Sequence, residues 1–230
     1  MEHIIAHGPV FTTVEFVCAA GETLAAQPGA MLAMSTGFEL TARVGAQMKG
    51  GRGLGRAVRS LAVGESFFAA VYEARRDGER LTLAPEQMGD IRALEIGPSN
   101  RLLIATGAFL ACTSGVQLSA VYAGVKGLMT TRGLFLMQTE GVGQLFLASF
   151  GAFIQRELAE GERLVLDNRY LVAFSTGMRC EMVKVAGTLR HSFLSGEGLV
   201  NRFTGPGTVL FQTRARPGRG FLRGMLNFTT

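Results

Sequence analysis

A glycine-centred motif occurs three times in the sequence, and this repeat constrains the fold more than any other feature. The copies are GAMLAMSTGFEL ending at Leu40, GAFLACTSGVQL ending at Leu118 and RYLVAFSTGMRC ending at Cys180. In each copy an apolar pair and an alanine precede two hydroxyl residues and a glycine, and apolar side chains alternate after the glycine. Alternation on both sides of a hydroxyl-and-glycine turn is typical of a β-hairpin. The motif therefore predicts three β-rich units in tandem.

The flanking sequence repeats as well, and it gives the boundaries of the units. A glycine-acid pair opens each unit, at Gly21-Glu22, Gly89-Asp90 and Gly161-Glu162, which predicts a ten-residue insertion in the middle unit. Each closing strand begins at a glycine, namely Gly78, Gly143 or Gly207. We predict units at residues 1–86, 87–152 and 153–214, followed by a basic, apolar tail at 215–230. We interpret Met31, Met34, Met129, Met137 and the many phenylalanines as core residues between sheets.

The predicted fold class is all-β with little helix. Each unit is expected to resemble a β-sandwich or a double-stranded β-helix, and the three units to form a pseudo-threefold arrangement fused into one domain. Leu54, Val58 and Leu61 are spaced as on one helical face, which predicts one or two helical turns after a glycine-rich run. Elsewhere glycines, 31 of 230 residues, interrupt the chain too often for helices that could cover a parallel sheet.

The positive charge is concentrated in two zones, and one of them is a candidate binding surface. The formal net charge is +5, and residues 40–64 contain five basic residues and no acid. Four of these, Lys49, Arg52, Arg56 and Arg59, are candidates for contact with an anion or an anionic lipid. A connecting loop is the favoured interpretation of this segment, because its apolar stripe is short for an interfacial helix. The tail is interpreted as covering a sheet edge, with membrane contact as the alternative. Nucleic-acid binding is disfavoured.

No catalytic, metal or cofactor motif is recognisable in the sequence. The three cysteines are far apart and form no C-x-x-C pair. His3 and His7 are four apart, which would pair them on a helix, but their segment is strand-like, and His191 stands alone, so a metal site is disfavoured. Six hydroxyl residues precede the repeat glycines, and their recurrence favours turn formation over nucleophilic catalysis; they are Ser35, Thr36, Thr113, Ser114, Ser175 and Thr176. We therefore expect a protein that is not an enzyme and binds no cofactor.

An uncharged stretch from Leu102 to Val125 is long enough to cross a membrane as a helix. Polar residues and glycines interrupt it, so two strands around a turn are the favoured interpretation. No Lys or Arg precedes Arg43, and the sequence therefore predicts neither a secretory signal nor a transit peptide. The expected location is cytoplasmic, with peripheral membrane association as the alternative.

The ordered series of motifs resembles the "altered inheritance of mitochondria" protein twenty-four family from about Gly21 to Arg214. The similar segments are GAMLAMSTGFEL, KGGRGLGRAVRSLAVGESFF, TGAFLACTSGVQL, LDNRYLVAFSTGM and GEGLVNRFTGPGTVLFQTR. The resemblance implies an all-β fold similar to that of the tryptophan RNA-binding attenuation protein, with three such units about a pseudo-threefold axis. It does not imply binding of tryptophan or RNA. Met88 and Tyr170 depart from the Pro and His that are frequent in the family. We expect a prokaryotic member of unknown function.

Three hypotheses about function follow from these observations. The leading one is a non-enzymatic scaffold or binding protein that self-associates as a homo-oligomer, because repeated strands leave edges that must be covered. The second is association with an anionic membrane surface. The third is a small-molecule or enzymatic site between the units, for which the ligand is unknown.

Overall fold

The computed structural model describes residues 1–44, 68–105, 107–121, 136–184 and 199–215. Within these residues the chain forms nineteen β-strands and a single 3₁₀ turn at Asn168–Tyr170. The all-β prediction is confirmed. The helical turns predicted around Leu54, Val58 and Leu61 lie outside the described residues.

The strands form three successive series. The first contains β1 (Glu2–Ala6), β2 (Thr13–Cys18), β3 (Thr23–Ala26), β4 (Met31–Met34), β5 (Phe38–Val44), β6 (Phe68–Ala74) and β7 (Glu79–Leu83). The second contains β8 (Ile91–Ile96), β9 (Leu102–Ala105), β10 (Phe109–Thr113), β11 (Val116–Val121), β12 (Leu136–Gly141) and β13 (Gly143–Ala148). The third contains β14 (Phe153–Leu158), β15 (Arg163–Asp167), β16 (Leu171–Ser175), β17 (Arg179–Lys184), β18 (Leu199–Thr204) and β19 (Gly207–Gln212).

The same strand order recurs in all three series. In the first, β2-β7-β4 lie side by side and so do β5-β6-β3, and the corresponding strands of the other two series pair in the same order. Pairing of β3 with β10 joins the first series to the second, and pairing of β9 with β16 joins the second to the third. The result is two six-stranded sheets, a four-stranded sheet β1-β2-β7-β4 and a three-stranded sheet β15-β18-β17. The pseudo-threefold arrangement and the unit boundaries stay predictions.

Local geometry relates the three repeat motifs residue by residue. The register of β4, β10 and β16 shifts at the same place in each strand, namely between Met31 and Ala33, Phe109 and Ala111, and Leu171 and Ala173. After each shift the side-chain oxygen of a motif hydroxyl, in Ser35, Thr113 or Ser175, accepts a backbone N–H from the neighbouring strand at 2.9, 2.9 and 3.0 Å. These hydroxyls therefore fix the turn and the neighbouring strand, as their recurrence predicts.

Two details of the sequence alignment are wrong. Gly89 lies two residues before β8, where it bridges to Phe11 and Gly151, so the glycine-acid pair of the middle unit is not equivalent to the other two. In the corner before β3 the Glu22 carboxylate accepts the Ala19 N–H, whereas the corresponding corner of the middle series contains Asn100 and no ten-residue insertion. The register of the closing strands likewise shows that Glu79, rather than Gly78, is at the position equivalent to Gly143 and Gly207.

The apolar core extends across the joints between the series. The largest cluster combines Val71 of the first series, Ile104 and Leu145 of the second and Val172 and Leu210 of the third. Of two smaller clusters, one combines the first series with the second and the other the second with the third, and both contain close aromatic pairs. The Phe16 and Phe146 rings meet edge to face with centroids 4.8 Å apart, and those of Phe174 and Phe203 are 5.0 Å apart. Burial of these faces holds successive series together.

The described part of the uncharged stretch from Leu102 to Val125 consists of strands and the turns between them. The sequence predicts two strands around a turn, which correspond to β10, β11 and the turn between them, and the structure adds a third strand, β9. Among the described residues, the structure contains no helix with the length and apolar character needed to cross a membrane.

Candidate functional site

The basic residues singled out in the sequence do not contribute to a site that the structure describes. Lys49, Arg52, Arg56 and Arg59 lie in the segment 45–67, outside the described residues, and so do His191 and residues 216–230 of the tail. The candidate site is therefore derived from the described strands, and it lies where the sheets end.

Strand β4 is exposed although its counterparts in the other series are buried. Leu32 is 62% exposed, whereas Leu110 and Val172, at the same place in β10 and β16, are 0% exposed. Met31 and Met34 are exposed too, so the prediction that they fill the core is wrong, while Met137 is buried as predicted. The apolar sequence of the strand is the same in kind in all three series. The difference therefore comes from what covers the strand.

Among the described strands, a covering strand is present for β10 and β16 and absent for β4. Strand β3 pairs with the outer edge of β10, and β9 pairs with that of β16, but the four-stranded sheet ends at β4. The strand of the third series that corresponds to β3 and β9 is β15. It ends the three-stranded sheet, and no other described strand pairs with its outer edge. Val165 in the middle of β15 is 55% exposed. The described part of the array thus ends in two complementary edges.

A second set of contacts between the series ends at the same two places. Gly89 makes parallel bridges to Phe11 on one side and Gly151 on the other, at the starts of three corresponding strands. The Thr12 N–H donates to the Gly89 carbonyl at 3.4 Å, and the Asp90 N–H donates to the Gly151 carbonyl at 3.2 Å. Phe11, the first member of this row, is 68% exposed. In the described ranges, Phe11 and Gly151 are therefore the two ends of this row, at the first and the third series.

A buried carboxylate holds the end of β4 in place. The Glu79 Oε2 accepts the Gly37 N–H at 3.1 Å and the Ser35 hydroxyl, and its Oε1 lies 3.6 Å from the Arg76 Nε. A Cβ on Gly37 would collide with this carboxylate, so the glycine is needed for the close approach. Because Glu79 is at a position that is glycine in the other two series, only β4 is fixed in this way. The exposed edge is thus ordered in advance of any partner.

The backbone of the described edge strands offers groups that can bind another strand. Within the described ranges no three His, Cys, Asp or Glu side chains lie together so that they could hold a metal ion. Burial raises the pKa of the Cys112 thiol to about 12 and is the main cause that raises those of Cys18 and Cys180 to about 11. Thiols with such pKa values are poor nucleophiles near neutral pH. The unpaired N–H and C=O groups of an edge strand, by contrast, can pair with another strand.

Comparison with known proteins connects this architecture to a family. The family described as mitochondrial biogenesis AIM24 matches residues 4–214. An uncharacterised protein of Streptococcus pyogenes serotype M6 is 32% identical over 210 residues, which cover 88% of this chain and 82% of that protein. A crystal structure of another Streptococcus pyogenes protein superposes with a TM-score of 0.74 at 29% identity, over 98% of this chain and 96% of that one. The chain therefore belongs to the AIM24 family, with uncharacterised bacterial relatives.

Proposed function

We propose that this protein is a non-enzymatic scaffold or binding protein that acts through self-assembly, with β4 as part of the assembling surface. The observation that carries the proposal is the contrast between Leu32, which is 62% exposed, and its counterparts Leu110 and Val172, which are fully buried. A strand whose outer side faces solvent in the functional protein would be expected to have polar residues at the exposed positions. Here an apolar strand suited to a sheet interior lies at a sheet end.

An uncovered apolar edge is costly for a soluble protein. Natural edge strands usually contain charged residues or proline, or are covered by another element, because a bare edge pairs with other chains. β4 has the sequence MLAM, without a charge or a proline. Burial of its exposed methionines and leucine away from water is favourable and would stabilise an assembly. Assembly through this edge supplies the cover that β3 and β9 supply elsewhere.

The experiment is a light-scattering measurement of molar mass after size-exclusion chromatography. The wild-type protein is expected to elute as an assembly with a mass of several chains. The Leu32→Lys variant is expected to elute as a single chain, because assembly would bury the new charge without a partner. Ile4→Lys is the matched control: Ile4 is 61% exposed on β1, in the same sheet, and this variant should assemble like the wild type.

Circular dichroism separates loss of assembly from loss of fold. Leu32→Lys should keep the β-sheet spectrum and a cooperative melting transition, because the side chain is largely exposed in the single chain. A wild-type protein that stays a single chain at all accessible concentrations would refute the proposal. So would a Leu32→Lys variant whose mass equals that of the wild-type assembly.

The other sequence hypotheses stay predictions. Contact with an anionic membrane depends on Lys49, Arg52, Arg56 and Arg59, which lie outside the described residues, and the cytoplasmic location is likewise untested.

A further inference from the structure

We infer that β4 of one chain is covered by β15 of a second copy, in an antiparallel, head-to-tail contact that continues the joints already present inside the chain. The inference rests on the proposed self-assembly and names its partner. Inside the chain, a strand of the β3 type covers a strand of the β4 type twice, as β3 on β10 and as β9 on β16. β15 is the third strand of the covering type, and β4 is the third strand of the covered type.

The two internal joints have the same register, and this register fixes the external one. In the first joint Ala111, Cys112 and Thr113 lie opposite Ala26, Ala25 and Leu24. In the second, Ala173, Phe174 and Ser175 lie opposite Ile104, Leu103 and Leu102. The corresponding positions in β4 and β15 follow from the shared register shifts and from the pairing of β15 with β18. The predicted pairs are Ala33 with Leu166, Met34 with Val165, and Ser35 with Leu164.

The side chains brought together by this register are compatible. Met34 and Val165, the central pair, are both exposed in the single chain and both apolar. The charged residue at the end of β15, Asp167, is already neutralised, since its carboxylate accepts the Arg169 guanidinium at 2.6 Å. The contact therefore buries apolar surface without leaving an unpaired carboxylate at this end.

A second copy, rather than the same chain, supplies the strand. Pairing of β4 with β15 inside one chain would merge the four-stranded and three-stranded sheets, but the structure keeps them as separate sheets. The row of parallel bridges ends in the same way: Phe11 is exposed at the first series, and within the described part of the chain Gly151 has its one bridge to Gly89. Because the two contacting surfaces differ, the interface is heterologous, and it generates a ring when the rotation between copies closes.

The test uses disulfide formation between two separately tagged chains that are co-expressed, one with Met34→Cys and the other with Val165→Cys. Residues directly opposite in an antiparallel pair have Cβ atoms about 4.5–5.5 Å apart, within reach of a disulfide after a small adjustment. Mild oxidation is expected to give a covalent dimer that contains both tags. Met34→Cys with Arg163→Cys is the matched control, because it is offset by two residues along the strand and should give little dimer. Oxidised wild-type protein controls for the three native cysteines.

A chain with both Met34→Cys and Val165→Cys distinguishes the remaining outcomes. The inference expects covalent multimers on a non-reducing gel. A single fast-migrating, internally cross-linked chain would overturn it, because the two edges would then meet within one molecule. Absence of the specific disulfide in a protein that light scattering still shows as an assembly would also overturn it while leaving the proposed function intact. A single-chain mass with no disulfide would refute both.

Discussion

Leu32 and Leu110 have the same side chain at the same place of two strands, and truncating each to alanine separates intrachain from interchain burial. Leu110 is fully buried, so Leu110→Ala should lower the free energy of unfolding by about 2–5 kcal/mol. Leu32 is 62% exposed, so Leu32→Ala should cost the isolated chain less than about 1 kcal/mol. Assembly buries the exposed part of Leu32, and alanine keeps only its Cβ. The free energy of association should therefore weaken by about 1 kcal/mol per interface in Leu32→Ala, which raises the dissociation constant about fivefold.

The assay combines urea unfolding of dilute protein with sedimentation velocity over a range of concentrations. Leu110→Ala should shift the unfolding midpoint strongly, whereas Leu32→Ala should leave it nearly unchanged and shift the concentration at which the assembly forms. The reasoning would be refuted if both variants lost the same free energy of unfolding, since β4 would then be buried within its own chain. An unchanged dissociation constant for Leu32→Ala would equally exclude β4 from the interface.

Two further predictions concern residues inside the fold. Cys18 and Cys112, with pKa values raised to about 11 and 12, should not react with a thiol-specific aromatic disulfide at pH 8 until the chain unfolds, and rapid reaction of these thiols in the native protein would contradict this. The free energy of unfolding should also fall above about pH 9, because there the cysteines ionise only in the unfolded chain. Gly89→Ala should lower the free energy of unfolding by about 1–3 kcal/mol in a urea titration, because its Cβ would lie 1.8 Å from the Ser149 carbonyl oxygen. The control is Gly97→Ala, whose Cβ meets only the Asn100 side chain. An equally small effect of both substitutions would show that the backbone at Gly89 adjusts to the Cβ.

Much of the fold was predictable because the repeat motif has a direct structural role. The hydroxyl before each repeat glycine accepts a backbone N–H from the next strand, and this explains why the residue type recurs at Ser35, Thr113 and Ser175. The alignment was wrong where a different residue occupies an equivalent place. Asn100 stands in the corner that the other series form with glutamate, and a glycine-acid pair elsewhere, Gly89-Asp90, resembled the missing one.

The candidate site was less predictable, because it depends on position in the array rather than on residue type. MLAM in β4 is as apolar as FLAC in β10 or LVAF in β16, and periodicity alone assigns all three to the core. One sequence signal was available. Three repeat units in one chain can be joined in a row by two equivalent strand pairings. Such a row leaves one strand of the β4 type and one strand of the β3 type without a neighbour.

The residues at these two ends distinguish a repeat protein that remains a single chain from one that assembles with further copies. Repeat proteins that remain single chains protect their terminal units with a polar outer face. In this protein β1 covers β2 at one edge of the four-stranded sheet. At the opposite edge β4 exposes three large apolar side chains and no charge. At the other end β15 exposes Val165 and neutralises Asp167 through Arg169. Ends that match each other in this way, instead of being closed by polar residues, are those expected of a chain that continues its sheets into the next copy.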